Sequence, residues 1–283
     1  MLILYRMSKK ERLDASARHV LTKEGLAGFT MERLAEAAGV SRPTAYQYFN
    51  SREGALASTA AQTLALCRDL YEGARSFDGD ARGKTFAYLT AYEILARCEP
   101  EHMEILELLG LPSIRDSLQE TQRLTLRAQL VEYTGYLTEL VKSACLSGDL
   151  KLPESCTVES VVFHSLNFCR GNGLTIARRR LLFSMYGGEA PWEEAQRALF
   201  YYWSGIGWTP LLSKEEIAIL HERILKQCFP SHWLQLKTEE LRRNLNMPLP
   251  EKPAYEIPEP RPKRKSAKMP LEPVLESPPE IPL

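Results

Sequence analysis

The chain has 283 residues, 44% of them hydrophobic, and its 36 basic and 36 acidic residues leave a formal net charge of zero. Such a composition suits a small head and one larger helical domain, and the sequence has no run of about 18 apolar residues able to cross a membrane. The opening MLILYRM is too short for the apolar region of a signal peptide, and the six cysteines (67, 98, 145, 156, 169 and 228) form no CxxC. They read as reduced thiols on helices, with a redox-sensing pair of Cys145 and Cys156 as the minor alternative, and they argue against zinc or a disulfide framework.

The first helix shows itself in Leu13, Ala17, Val20 and Leu21, an apolar stripe at i, i+4, i+7 and i+8. Gly25 and Gly28 end it and make the corner. Thr30 is an N-cap ahead of Met31, Leu34, Ala35 and Ala38, which share one helical face. Gly39 can turn left-handed, and Val40 packs behind it. Ser41 caps the next helix, with Pro43 in its first turn, where a missing N–H does little harm. Two short helices and so tight a turn make a helix-turn-helix, with Ser41 to Phe49 as the recognition helix. A further helix opens at Asn50 or Ser51, with Glu53 spaced from Asn50 as in a capping box.

In the recognition helix Ala45 and Phe49 point inward together, leaving Arg42, Thr44, Tyr46, Gln47 and Tyr48 outside. Arg42, Pro43, Thr44 and Gln47 are the candidate base readers, since Arg forks onto guanine, Gln onto adenine, and a Thr methyl meets a thymine methyl. Thr30, Ser41, Tyr46, Tyr48 and Arg52 are the candidate backbone contacts, because hydroxyls, helix N-termini and a guanidinium suit phosphate. Residues 1 to 57 hold nine Lys/Arg against six Asp/Glu, a difference of +3 within a neutral chain, and a basic head favours a polyanion.

Beyond the head the chain reads as helix after helix. A long segment runs from Ser51 to about Gly73, followed by a loop to Gly83 and helices at Lys84 to Cys98 and Glu101 to Leu109. One long helix is expected from Pro112 to about Ser147, ended by Gly148 and Asp149. Others follow at Ser155 to Tyr186, Trp192 to Ile206, Ser213 to Phe229 and Ser231 to Asn244. No stretch alternates as a strand would, so the fold class is all-α: a three-helix head over 1–57 joined to a larger helical domain over 58–245. The remainder, 246–283, holds eleven of the 18 prolines and reads as an extended or disordered tail, its basic cluster from Arg261 to Lys268 a secondary candidate for DNA contact. A Gly-rich phosphate loop, GxSxG and HExxH are all missing, so the expectation is a non-enzyme with no cofactor and no metal.

The stretch from about Leu13 to Leu56 resembles the DNA-binding domain of the TetR/AcrR family of bacterial transcriptional regulators. The resemblance lies in Ala17, Gly25, Phe29, Thr30, Leu34, Ala35, Ala38, Gly39, Val40, Ser41, Tyr46, Phe49 and Leu56. Pro43 stands where many members have Gly and Arg52 where Lys is usual, so no operator sequence carries over. The resemblance implies a cytoplasmic, nucleoid-associated bacterial regulator, most simply a ligand-responsive repressor that binds a palindromic double-stranded DNA operator as a homodimer. It further implies a dimer interface from two late helices, with Phe200, Tyr201, Trp203 and Trp208 as candidates, intrachain core being the alternative for the same aromatics. A small apolar or aromatic effector would then sit among Phe86, Tyr92, Met103, Tyr133, Phe163, His164, Asn167 and Phe168, with ordinary core packing and a satisfied His164 as the alternative for any one of them. The alternative is an architectural or adaptor protein on the same DNA-binding head, with tail or body binding protein partners.

Overall fold

A computed structural model describes residues 8–116, 118–177, 198–199, 201–203 and 205–245. The expected tail, the helix from Trp192 in its first turns, and the interface candidate Phe200 lie outside the described residues.

The head begins with α1 (Lys9–Gly28), where the Ser8 hydroxyl accepts from Glu11 N and the Glu11 carboxylate accepts from Ser8 N. Gly25 sits at φ 67°, ψ −170° and breaks the helical path three residues before its end, a backbone shape that glycine adopts without steric cost. Next come α2 (Met31–Ala38) and α3 (Arg42–Phe49), joined by Gly39 at φ 62°. The left-handed Gly39 points its N–H back to the carbonyls of Ala35 and Glu36, which closes α2 within one residue. Leu13, Val20, Leu21, Phe29, Leu34, Ala45, Phe49 and Leu56 are all buried in one cluster, each of the larger apolar side chains stabilising by roughly 1.5–3 kcal/mol.

Helix α4 (Arg52–Arg75) starts in the head and ends in the body without interruption. Ser51 caps it, accepting from Gly54 N, whereas Asn50 closes α3 at φ 63°; the capping box expected between Asn50 and Glu53 is therefore replaced by a cap one residue later. The body continues with α5 (Ala81–Cys98), α6 (Pro100–Leu108), α7 (Pro112–Arg115), α8 (Glu120–Ser147) and α9 (Val158–Ala177). Residues 198–199, 201–203 and 205 are helical, and the described chain closes with α10 (Lys214–Cys228) and α11 (Pro230–Asn244). Asp80 starts α5 three residues earlier than the apolar pattern shows, by accepting from Gly83 N at 2.7 Å. Among the described residues there is no β-strand, only an isolated bridge between Leu150 and Trp208.

The single helix expected from Pro112 is two. The chain leaves α7 at Asp116, and Gln119 opens α8 with its N–H held by the Gln122 carboxamide at 2.8 Å. The apolar residues of this stretch divide between two cores: Ile114, Leu118 and Leu126 face the head, while Tyr133, Leu137, Val141 and Ala144 face the body. Leu106 of α6 packs against both clusters.

Candidate functional site

The α2–α3 turn sets the geometry of the recognition surface. Ser41 Oγ accepts from Thr44 N at 3.3 Å and lies 2.8 Å from Thr44 Oγ1, so the start of α3 is capped from within. Ala45 (0% exposed) and Phe49 (4%) anchor the helix into the head core. With that face fixed, Ser41, Arg42, Pro43, Tyr46 and Gln47 are exposed, and Thr44 is half-buried beside them. A short helix anchored on one side and lined with a guanidinium, a carboxamide and a phenol on the other has the shape and donors that a major groove accepts.

Besides Ser41, three more residues expected on the phosphate side have intrachain partners. Thr30 Oγ1 accepts from Arg33 N at 3.3 Å and caps α2, while its own O–H can still donate. Tyr48 is half-buried, edge-on to Phe49, with its hydroxyl 3.3 Å from both Asp14 carboxylate oxygens. Burial, with the Asp14 charge beside it, pushes the Tyr48 phenol up from its ordinary range. Arg52 donates through Nε to the Phe29 carbonyl and through an Nη to the Leu26 carbonyl, both at 2.7 Å. Its guanidinium therefore ties the start of α4 to the α1–α2 corner, satisfying carbonyls left open where α1 breaks at Gly25.

The described residues of the head also hold three arginine–carboxylate pairings. Arg42 forms an ion pair with Glu32, in the first turn of α2, with both side chains largely in solvent. Arg33 bridges Glu24 at the end of α1 and Glu36 in α2, and these hydrogen bonds, Glu24 first, raise its already high pKa. Arg33 and Glu36 meet because they lie three apart on α2, whereas Arg42–Glu32 and Arg33–Glu24 come together only through the head's tertiary packing.

In the body, a cavity of about 40 Å³ lies between the two cores. Of the expected pocket residues, Tyr92 and Tyr133 line it. Leu64, Cys67 and Tyr71 of α4, Leu106 of α6 and Leu166 of α9 supply more of its wall, and the exposed Leu130 and Thr134 of α8 form the rim. The Tyr71 and Tyr92 hydroxyls hydrogen-bond to each other, and burial pushes the Tyr92 phenol up to about 12. Burial likewise holds the Cys67 thiol at about 12, which keeps it protonated and unreactive.

Other expected pocket residues are placed elsewhere. Phe86 stands edge-on to Trp203 at 5.1 Å in the body core, and Met103 is fully buried, its methyl 3.0 Å from where a Cβ on Gly173 would lie. Phe168 is half-buried against the body core without reaching the cavity. Phe163 (64% exposed), His164 and Asn167 correct the reading outright, because they lie on the outer face of α9. Its inner face runs through Val161, Ser165, Cys169 and Gly173 at four-residue spacing.

The interface candidates divide as well. Trp203 (5% exposed) and Trp208 (4%) are core, stacked on each other at 5.4 Å. Trp203 Nε1 donates to Ser165 Oγ at 3.3 Å, and the Arg82 guanidinium covers the Trp208 ring. Their interface role is thereby overturned by intrachain burial, while Tyr201 is 66% exposed. Among the described residues no group of three or more His, Cys, Asp or Glu is placed to hold a metal ion.

Residues 14–58 match the model for bacterial regulatory proteins of the tetR family. The fold is similar to that of a tetR-family regulatory protein from Rhodococcus (TM-score 0.57, 17% identity), covering 72% of this chain and 99% of that one. It also resembles the ketosteroid transcriptional regulator of Mycobacterium tuberculosis (TM-score 0.53, 14% identity, 71% of this chain and 95% of that one). A TetR-family transcriptional regulator from Bordetella parapertussis is comparable (TM-score 0.51, 19% identity, 72% and 97%). No curated protein matches the chain in sequence. At such identities the likeness concerns the fold, and the residues that read DNA or ligand are this chain's own.

Proposed function

We propose that this chain, whose residues 14–58 match the model for bacterial regulatory proteins of the tetR family and whose all-α fold is similar to that of a regulator of that family, is a dimeric, ligand-responsive transcriptional repressor acting on a palindromic operator in the cytoplasm. The observation that carries this reading is α3, buried through Ala45 and Phe49 and presenting Arg42, Pro43, Tyr46 and Gln47 to solvent. In it, Arg42, Pro43, Thr44 and Gln47 read base edges, and Thr30, Ser41 and Tyr46 hold phosphates. Tyr48 and Arg52 act chiefly by fixing the orientation of α3 and the corner beneath it, a change from the phosphate roles their positions first imply.

Two heads spaced by a dimer read two half-sites separated by whole turns of DNA, which is why the operator is palindromic. The outer face of α9, with Phe163, His164 and Asn167, and the exposed Tyr201 supply the dimer surface in this reading, replacing Trp203 and Trp208. An effector lowers operator affinity by binding better to one spacing of the heads than to the other.

The test is selection of random DNA by the purified chain, followed by gel shift of the winner at two salt concentrations. An enriched palindrome whose binding is lost in Tyr46→Ala supports the reading. Enrichment of no sequence, with only weak salt-sensitive binding, refutes sequence-specific regulation by the isolated chain.

A further inference from the structure

The cavity between the two cores carries more information than its small volume suggests. Its lining includes no ionised side chain: tyrosines, leucines, one protonated thiol and one threonine make the whole wall. Thr134 already donates its hydroxyl to the Leu130 carbonyl at 2.8 Å, and Tyr71 and Tyr92 satisfy each other. Tyr133 differs. It is 7% exposed, it lines the cavity, and its hydroxyl is buried with no hydrogen-bond partner among the described residues. An orphaned buried hydroxyl costs stability unless something completes it. Tyr88, stacked in the same aromatic cluster, shows the contrast by donating to the Tyr133 carbonyl at 2.7 Å.

We propose that this cavity binds a small, uncharged, mainly apolar molecule carrying a hydrogen-bonding oxygen, such as a phenol, alcohol or ketone, and that the Tyr133 hydroxyl is the group that recognises that oxygen. The proposal rests on the reading of the chain as a ligand-responsive regulator and names the ligand chemistry. A carboxylate or ammonium would enter a wall with no counter-charge, and desolvation would reject it. As it stands the cavity of about 40 Å³ has room for no more than a few water-sized groups, so a ring-sized ligand has to widen it. The exposed rim at Leu130 and Thr134 can give way toward solvent, whereas the floor cannot. Leu64 belongs to the head core, and Leu106 touches both cores on a helix whose Ile105 (0% exposed) and C-capping Leu109 (2%) are buried in the head. Widening the cavity therefore presses directly on the packing that orients the DNA-binding helices.

The experiment is isothermal titration of the full chain and of Tyr133→Phe with 4-methylphenol, cyclohexanone, toluene and 4-methylbenzoate at pH 7. Operator affinity is measured in parallel by gel shift with and without each compound. The expected result is saturable binding of 4-methylphenol or cyclohexanone to the parent, with 4-methylbenzoate at least about tenfold weaker. Tyr133→Phe should keep toluene binding and lose about tenfold in affinity for the oxygenated ligand, the worth of one hydrogen bond. Its unliganded stability should be unchanged or raised, because the orphaned hydroxyl is gone. Equal binding of the carboxylate, no binding of any uncharged compound, or an unaltered preference in Tyr133→Phe would each overturn the proposal. Binding as expected with operator affinity unmoved leaves the site standing and overturns the ligand-responsive reading instead.

Discussion

Arg52 illustrates how a side chain's partner, more than its charge, decides its role. Two hydrogen bonds from one guanidinium reach carbonyls 23 and 26 residues upstream, and a lysine could not fork between them. Arg52→Lys should therefore destabilise the head by about 1.5–3 kcal/mol, measured by urea denaturation, with most of any loss in DNA binding restored at low temperature. Unchanged stability with a smaller salt slope of DNA binding would return Arg52 to the phosphate role. Arg42 and Glu32 pose the reverse case, an exposed ion pair of about 0–1 kcal/mol that must open before Arg42 can fork onto a guanine. Glu32→Gln should raise operator affinity about two- to fivefold at low salt, through easier release of Arg42 and less repulsion of phosphate, and the gain should fade as salt screens it. A gel-shift series in salt that shows no gain, or a gain independent of salt, would remove Glu32 from the recognition surface. The caps at Thr30 and Ser41 were readable in the sequence because each partner lies three residues away. The partners of Arg52, Tyr48 and Arg42 were not, since only the folded head brings them close.

Helix α3 reaches the groove only if α2 stops where it does, and Gly39 at φ 62° is the stop. Gly39→Ala places a Cβ against the following carbonyl and should cost about 1–2 kcal/mol in chemical denaturation, with weaker operator binding because the α2–α3 angle relaxes. If stability fell without any change in DNA affinity, the turn would be a structural cap and not the hinge that aims α3. This turn was legible because a helix end leaves a local mark: a small residue, then a cap. The faces of α9 and the aromatic stretch after it leave no such mark. Phe163 and Trp203 have similar apolar content, yet one is 64% exposed and the other 5%, because α9 turns Val161, Ser165 and Cys169 inward and Trp203 is received by Phe86 and Ser165. Aromatic density marks a helix as half-buried without saying which half. The break before α8 leaves as little mark, since Leu118 and Tyr133 are both large apolar residues but serve different cores.

Head and body are coupled through α4 and α6, and one titratable group sits where those helices meet. His102 of α6 lies 2.9 Å from Thr63 Oγ1 of α4, and burial, with a smaller contribution from the Arg18 charge, pulls its pKa down to about 4. A histidine lowered in the folded state stays neutral there while the unfolded chain takes up a proton below about 6.5, so the unfolded state binds more protons between these values. Stability is complete above pH 6.5 and falls as pH drops toward 4, at up to about 1.4 kcal/mol per unit for this one group. His232, also lowered by burial, adds in the same direction, whereas the lowered Glu24 and Glu222 add only as the carboxylates themselves protonate at more acid pH. His102→Gln keeps a partner for Thr63 without a titrating ring, and it should flatten the stability curve between pH 6.5 and 4.5 while leaving the value at pH 7.5 within about 1 kcal/mol. Because the ring bridges the helix that carries Leu106 to the helix that carries Leu64, protonation at His102 strains the same junction that a ligand would press on. Operator affinity of the parent should accordingly weaken on acidification more than that of His102→Gln. Parallel curves for the two proteins would place the pH sensitivity outside the α4–α6 junction.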